Sequence, residues 1–177
     1  HAKLFVENKF PSAATCSSCH KQIYNEWASS NHAYASISPM FHKFEQKISS
    51  LAPTLGSFCV RCHASVGTLL KEPREMPLWD RAQVSREGVT CITCHRVDKQ
   101  YGKVNAERSI IPGDIHQPVY GNSDGSGLME VIAKKDFYKV RPDAKSTQRG
   151  LKIHSKAFRF EQLSKSEFCV SCHQVSV

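Results

Sequence analysis

Apolar residues recur at three- and four-residue intervals early in the chain, across residues 11–38. The repeat predicts an amphipathic helix over that range, with one longer step near its end. Its apolar positions are Ile23, Tyr24, Trp27 and Tyr34. Pro39 interrupts the repeat, and residues 40–50 can begin a second helix after it.

The middle of the chain alternates shorter helical patterns with turn-forming residues. Residues 57–70 predict a helix that ends before Pro73, and residues 78–84 predict a short helix that ends before Gly88. Residues 96–127 contain closely spaced glycines, prolines, asparagine and aspartates. That composition predicts a long loop.

Towards the C-terminus, residues 128–139 predict one more short helix. Ser164 and Glu167 have the Ser-x-x-Glu spacing of a capping box, which predicts a helix beginning near Phe168. Together these patterns predict a mainly α fold with long irregular loops and little or no β-structure. The nine glycines and eight prolines in 177 residues are typical of such a fold.

All eight cysteines belong to four copies of the pattern Cys-x-x-Cys-His. This is the attachment signature of c-type haem, in which two thiols bond to the porphyrin and the histidine binds the iron. With nine histidines in the chain, four such histidines by chance have a probability on the order of 10⁻⁵. We therefore expect four haem c groups. The residues that would hold them are Cys16, Cys19 and His20; Cys59, Cys62 and His63; Cys91, Cys94 and His95; and Cys169, Cys172 and His173.

Two other structures also use paired cysteines. Eight thiolates can build two zinc sites of four cysteines each, but zinc does not require a histidine directly after each pair. A disulfide framework fits less well, because cysteines separated by two residues close only very short loops. Haem attachment explains the whole pattern.

Four haems leave roughly 44 residues of protein for each, too few to build an ordinary apolar core beside them. We therefore expect the haems themselves to form the core of a single tetrahaem domain, residues 1–177, with the multihaem cytochrome c fold. Without haem we expect no stable fold.

The formal net charge of the protein is +8. Four ferric haems with their propionates lower that charge to roughly +4. The lysines and arginines are scattered, so the sequence predicts no nucleic-acid partner.

No apolar run reaches the length of a membrane span. Covalent haem attachment is typical of exported proteins, so we expect a periplasmic or extracellular protein whose signal peptide has been removed.

Five histidines lie outside the motifs: His1, His32, His42, His116 and His154. A second axial histidine makes a haem six-coordinate and low-spin. His32 follows His20 by an axial distance of about 18 Å on a continuous helix. Two imidazole nitrogens on one iron are only about 4 Å apart. We therefore expect His32 to bind the iron of a motif other than the first.

Two further histidines are candidate distal ligands. His116 lies in a loop made rigid by Pro112 and Pro118, and His154 lies close to Phe158.

His42 is an ambiguous candidate, because Met40 beside it is an alternative ligand. A surface histidine remains an alternative interpretation of both His42 and His32.

Two stretches resemble the tetrahaem cytochrome c-554 family, which is related to multihaem hydroxylamine oxidoreductase. The first motif is followed by Lys21, Trp27 and Ser30-Asn31-His32-Ala33. The third motif follows Gly88-Val89, as in that family. The number and order of the motifs are also similar.

The resemblance implies haems in closely stacked, parallel pairs within a mainly helical body. It also implies that His32 caps the haem of another motif and that His116 caps the first haem. The haem of His63 would be five-coordinate.

Two features depart from the family. His42 or Met40 can close the site at His63 in this chain. The family places a ligand in a long segment after the fourth motif, and we expect His154, upstream of that motif, to substitute for it here.

Electron transfer is the leading function, because four neighbouring haems can relay electrons between redox partner proteins. A membrane-bound quinol oxidase or reductase is a candidate partner. The rival function is a haem enzyme that acts on a small nitrogen or sulfur compound at an open His63 haem, with Arg61 or His42 as proton donor. A gas sensor is a third class, but sensing does not require four haems. The sequence predicts no catalytic residue, which favours a carrier over an enzyme.

Overall fold

The computed structural model of the protein describes residues 2–55, 57–99 and 108–175. Within these ranges the chain forms short helices joined by irregular segments, with little strand. The mainly α fold with irregular loops is therefore confirmed. No helix in these ranges is long and apolar enough to cross a membrane. The single domain of residues 1–177 stays a prediction.

The α-helices are mostly one or two turns long. In chain order they are α1 (Ala2–Lys9), α2 (Ala13–Ser17), α3 (Lys21–Ala28), α4 (Asn31–Tyr34), α5 (Pro39–Leu51), α6 (Val60–His63), α7 (Ser65–Leu69), α8 (Gln83–Arg86), α9 (Cys91–His95), α10 (Ser126–Ala133), α11 (Lys135–Tyr138) and α12 (Val170–His173). Turns of 3₁₀-helix cover Pro53–Leu55, Leu78–Asp80, Glu161–Ser164 and Ser166–Phe168.

The predicted continuous helix over residues 11–38 is wrong, because the segment is divided into α2, α3 and α4. Ser12 and Ser30 cap α2 and α4, each accepting a hydrogen bond from the backbone N–H three residues later. At His20, between α2 and α3, the backbone leaves the helical region with φ −106° and ψ 48°. Serines that bind nearby backbone groups favour such helix starts over helix interiors.

Other predicted helices match the structure more closely. Residues 40–50 lie in α5, which Ser38 caps and which has Pro39 in its first turn. Residues 128–139 correspond to α10 and α11. Residues 57–70 hold two helices, α6 and α7, because Ala64 between them has a non-helical backbone.

The prediction that Ser164 caps a helix is wrong. Ser164 ends a 3₁₀ turn, and its Oγ donates to Asn122 Oδ1 at 3.0 Å instead of capping a helix. This tertiary hydrogen bond outweighs the local pattern, and α12 begins only at Val170.

Four short strands form two parallel pairs. β1 (Val119–Gly121) pairs with β4 (Ala157–Arg159), with Val119 opposite Ala157. β2 (Val140–Arg141) pairs with β3 (Leu151–Lys152). The predicted loop over residues 96–127 is wrong at β1. The sequence did not indicate this strand, because three residues are too few to show an alternating pattern. Residues 100–107 of that loop lie outside the described residues.

The apolar core is small. Seven residues of the described ranges form its buried cluster: Phe10, Val66, Val84, Ile92, Val97, Ile110 and Phe168. In contrast, sixteen large apolar side chains in those ranges are exposed, among them Ile23, Phe44, Trp79 and Phe137. So much exposed apolar surface indicates that a bound apolar group belongs inside the fold.

Candidate haem-binding site

Each Cys-x-x-Cys-His motif folds as a helical turn. The backbone N–H of His20 donates to the Cys16 carbonyl at 3.0 Å, and His173 donates likewise to Cys169 at 2.9 Å. This i to i+4 hydrogen bond places the first cysteine and the histidine on the same face of the turn. A single porphyrin can therefore meet both the thiol and the imidazole.

The motifs meet in two pairs. The thiol of Cys16 interacts with the thiol of Cys91, and this interaction, together with burial, raises the pKa of Cys16; the first motif therefore lies near the third. The thiol of Cys172 interacts with the thiol of Cys62, which lowers the pKa of Cys172 to about 6; the second motif therefore lies near the fourth. Groups attached at these cysteines lie side by side.

Four histidines have Nδ1 close to a backbone carbonyl oxygen. The pairs are His63 with Ala35 at 3.0 Å, His95 with Tyr120 at 2.8 Å, His116 with Ile153 at 3.2 Å, and His154 with Ile115 at 2.8 Å. An Nδ1–H that donates to a carbonyl leaves Nε2 as the metal-binding nitrogen and fixes the ring orientation. Sequence reasoning missed these carbonyls, because every residue has one and no side chain marks it.

The ring of His154 faces the ring of His20. Their centroids are 6.5 Å apart, and the planes differ by 15°. A metal bound between two imidazoles through bonds near 2 Å separates the ring centroids by about 6.3 Å. Burial lowers the pKa of His154 to about 4, so its imidazole is in the neutral, metal-binding form at neutral pH. The two rings fit the two axial sides of one iron.

His32 and His173 form a second pair of the same kind. Their ring centroids are 6.2 Å apart, with an angle of 57° between the planes. The structure thus brings His32 to the fourth motif and not to His20 of the first.

A short stretch before the third motif holds His32 in place. Val89 donates its backbone N–H to the His32 carbonyl at 2.9 Å, and its own carbonyl accepts from Trp27 Nε1 at 2.8 Å. Gly88 has φ +66°, and a Cβ on it would collide with the His32 carbonyl oxygen. The glycine and the tryptophan are therefore needed for this docking, and the role of Trp27 includes a specific hydrogen bond.

His116 and His154 lie side by side on neighbouring segments. Each Nδ1 meets the carbonyl of the residue before the other histidine, and Ser155 donates its N–H to the His116 carbonyl at 2.8 Å. His116 and His154 are separated along the chain by the same number of residues as Val119 and Ala157, which are paired in the β1–β4 ladder. The strand register therefore fixes both histidines together.

The turn that carries His116 is anchored to the third motif. Arg96, which directly follows His95, is 1% exposed and donates to the carbonyls of Gly113 and Asp114. Asp114 Oδ1 accepts the His116 backbone N–H at 3.0 Å. His116 itself is buried. Sequence reasoning missed Arg96, although its place beside the motif was a usable signal.

The resemblance implied that His116 caps the first haem, but the structure places His154 opposite His20. Within the described ranges, no ring stands opposite His116 or His95 at the spacing of a shared iron.

The surroundings of His63 differ from those of His20. The Phe41 ring lies flat against the His63 imidazole, with centroids 4.2 Å apart and planes 8° apart. His42 has a buried Nε2 that meets no hydrogen-bond partner in the part of the chain that the structure describes, and Met40 is 65% exposed. Within the described residues the His42 ring packs against Phe41, with centroids 5.6 Å apart, and not against His63. His1 lies outside the described residues.

The alternative uses of cysteine find no support in the described part of the chain. All eight cysteines are free of disulfide bonds. No group of three or more His, Cys, Asp or Glu side chains in that part is gathered as a zinc site requires. The imidazole spacing, the free Nε2 atoms and the exposed apolar surface instead fit haem.

Comparisons with known proteins point in the same direction. The family model "Cytochrome c554 and c-prime" matches residues 15–96. A penta-haem cytochrome c552 from Thermochromatium tepidum has a similar fold, with a TM-score of 0.55 and 21% identity. The match covers 93% of this chain and 46% of that one, so this chain spans less than half the length of that cytochrome. Among curated proteins, no sequence matches this chain.

Proposed function

We propose that this chain, whose residues 15–96 match the cytochrome c554 family of multihaem c-type cytochromes, transfers electrons through four haems, one at each motif. Bound haem supplies reversible one-electron chemistry at its iron. The protein would work in the periplasm or outside the cell and exchange electrons with redox partner proteins. A membrane-bound quinol oxidase or reductase is a candidate partner.

The observation that carries this proposal is the spacing of two histidine pairs. His20 with His154, and His32 with His173, stand at the separation of two axial ligands on one iron. Two histidine ligands keep an iron six-coordinate, with little change in geometry between its two redox states. Such sites favour electron transfer over substrate binding.

The contacts between motifs support a relay. Cys16 lies near Cys91, and Cys62 lies near Cys172, so these residues would hold the first haem near the third and the second haem near the fourth. Covalent attachment then holds the distance between them. Close, fixed spacing is what a protein needs to pass electrons internally.

The haem count and coordination are measured on the loaded protein. We expect four haems per chain by pyridine haemochrome assay and mass spectrometry, with mainly low-spin ferric signals in electron paramagnetic resonance. Stepwise reduction without carbon monoxide binding would support a pure carrier. Fewer than four haems, or a mostly high-spin spectrum, would contradict the proposal.

A second candidate function is catalysis at the haem of His63, on a small nitrogen or sulfur compound. It is favoured by the absence, within the described ranges, of a histidine ring facing His63, and by the unpartnered Nε2 of His42 as a proton donor. Carbon monoxide binding to one reduced haem, together with turnover of nitrite, hydroxylamine or sulfite that His42→Ala slows, would favour this function.

A further inference from the structure

Arg108 connects the third and fourth motifs directly. Its guanidinium makes hydrogen bonds to both motifs and to the turn before the fourth. The acceptors are Ser171 Oγ at 2.8 Å from Nε, the Thr93 carbonyl at 3.0 Å from Nη1, and the Phe168 carbonyl at 2.8 Å from Nη2.

The two motif acceptors occupy the same position in their motifs. Thr93 directly precedes Cys94, and Ser171 directly precedes Cys172. Both residues are fully buried. The planar fork of one guanidinium therefore sets the distance and orientation between two attachment turns from their interior, which a flexible ammonium would not do.

The charge of Arg108 is held close to the attachment sulfurs. Nη1 lies 3.9 Å from Cys94 Sγ, and the guanidinium lies 4.5 Å from the centre of the buried Phe168 ring. A cation held in such a partly buried, aromatic setting interacts more strongly with nearby charges than it would in water.

We propose that Arg108 is a positioning residue that fixes the third and fourth haems relative to each other and raises their reduction potentials with its positive charge. This inference rests on the proposed function, since it requires haems at both motifs. Reduction adds an electron to the iron, and a nearby cation stabilises the reduced form. The potential rises as a result. The two haems linked in this way would be the better electron acceptors of the four.

The test compares three loaded variants with the wild type. Arg108→Gln removes the charge and keeps a polar side chain, whereas Arg108→Lys keeps the charge and loses the planar fork. Arg149→Gln, which removes an exposed arginine, is the matched control. Each protein is first checked for four haems and then titrated electrochemically, with optical and paramagnetic resonance detection, and its melting temperature is measured.

We expect Arg108→Gln to lower the reduction equilibrium constant of at least one haem about tenfold, or about 59 mV for a one-electron couple. Arg149→Gln should change every haem less than twofold. Wild-type potentials in a four-haem Arg108→Gln protein would overturn the role of the charge. Failure of the wild type itself to carry four haems would contradict the proposed function instead.

Arg108→Lys separates charge from position, and it also decides the matter if Arg108→Gln does not assemble. We expect its potentials to stay within about twofold of the wild type in equilibrium constant, with a lower melting temperature. A wild-type melting temperature would overturn the positioning role. A tenfold loss in the equilibrium constant despite the retained charge would overturn the electrostatic role.

Discussion

The imidazoles of His20 and His154 lie nearly parallel with their centroids 6.5 Å apart, although the two residues come from opposite ends of the chain. The β1–β4 ladder and the carbonyl of Ile115 hold His154 in this position. The pair predicts that the last quarter of the chain closes the haem site that the first motif begins.

Replacing His154 tests that closure. We expect His154→Ala to convert one low-spin haem to high spin and to let the reduced protein bind carbon monoxide, because one axial ligand is lost. Added imidazole should restore the low-spin spectrum. Lys152→Ala, an exposed change on the neighbouring strand, should leave the spectrum as it is. An unaltered spectrum in His154→Ala would remove His154 from the ligands.

The double variant His116→Ala/His154→Ala distinguishes two roles for His116. His116 is buried, and its Nδ1 lies at a backbone carbonyl, as do the Nδ1 atoms of His63, His95 and His154. We therefore expect two high-spin haems in the double variant, counted by paramagnetic resonance. One high-spin haem would mean that His116 only supports its neighbour.

Gly88→Ala tests the docking of the third motif on His32. The added Cβ would meet the His32 carbonyl, and φ +66° is unfavourable for alanine, so we expect a loss of about 2 kcal/mol in the free energy of unfolding. Gly127→Ala is the control, because a Cβ there meets nothing within 4 Å and alanine favours α10. Equal melting temperatures for the two variants would contradict this account.

Trp27→Phe removes one hydrogen bond from the same contact and keeps an aromatic ring. The Val89 carbonyl loses the indole N–H, so we expect a loss of about 1 kcal/mol in the free energy of unfolding. The His32–His173 haem should also become easier to open to added ligands. Tyr24→Phe, in the ring next to Trp27, controls for a change of aromatic side chain. Wild-type stability in Trp27→Phe would show that the bond contributes nothing.

The buried carboxyl of Glu87 should make the free energy of unfolding depend on pH. Burial raises the pKa of its carboxyl above the ordinary value, so folding favours the protonated form. Stability is then lost as the pH rises from the unfolded value through the raised pKa. Glu87→Gln removes this loss and can still accept the bonds from Ala13 N–H and Thr90 Oγ1. We expect the variant to melt at a higher temperature than the wild type at pH 8, with the gap closing near pH 4. A gap that is the same at both pH values would contradict the assignment.

Helix content was predictable where local signals agreed. The helix predicted to restart after Pro39 is α5, which Ser38 caps and Pro39 begins, because capping and a fixed proline φ are properties of a few adjacent residues. The same reasoning failed at Ser164, where a side chain far along the chain, Asn122, takes the serine hydroxyl. It also failed at His20, where the turn of the motif ends a helix that the apolar repeat would have continued.

The sequence alone determined the cofactor class and predicted its attachment residues, because thioether formation and axial ligation need fixed residue types within five consecutive positions. The sequence also identified the histidines that are candidate distal ligands. Which histidine faces which motif was decided only by the tertiary structure. Strand register sets His154 opposite His20, and the contact of Val89 with the His32 carbonyl accompanies the approach of His32 to His173. Such pairings depend on hydrogen bonds between segments distant in the chain, and spacing along the sequence does not encode them.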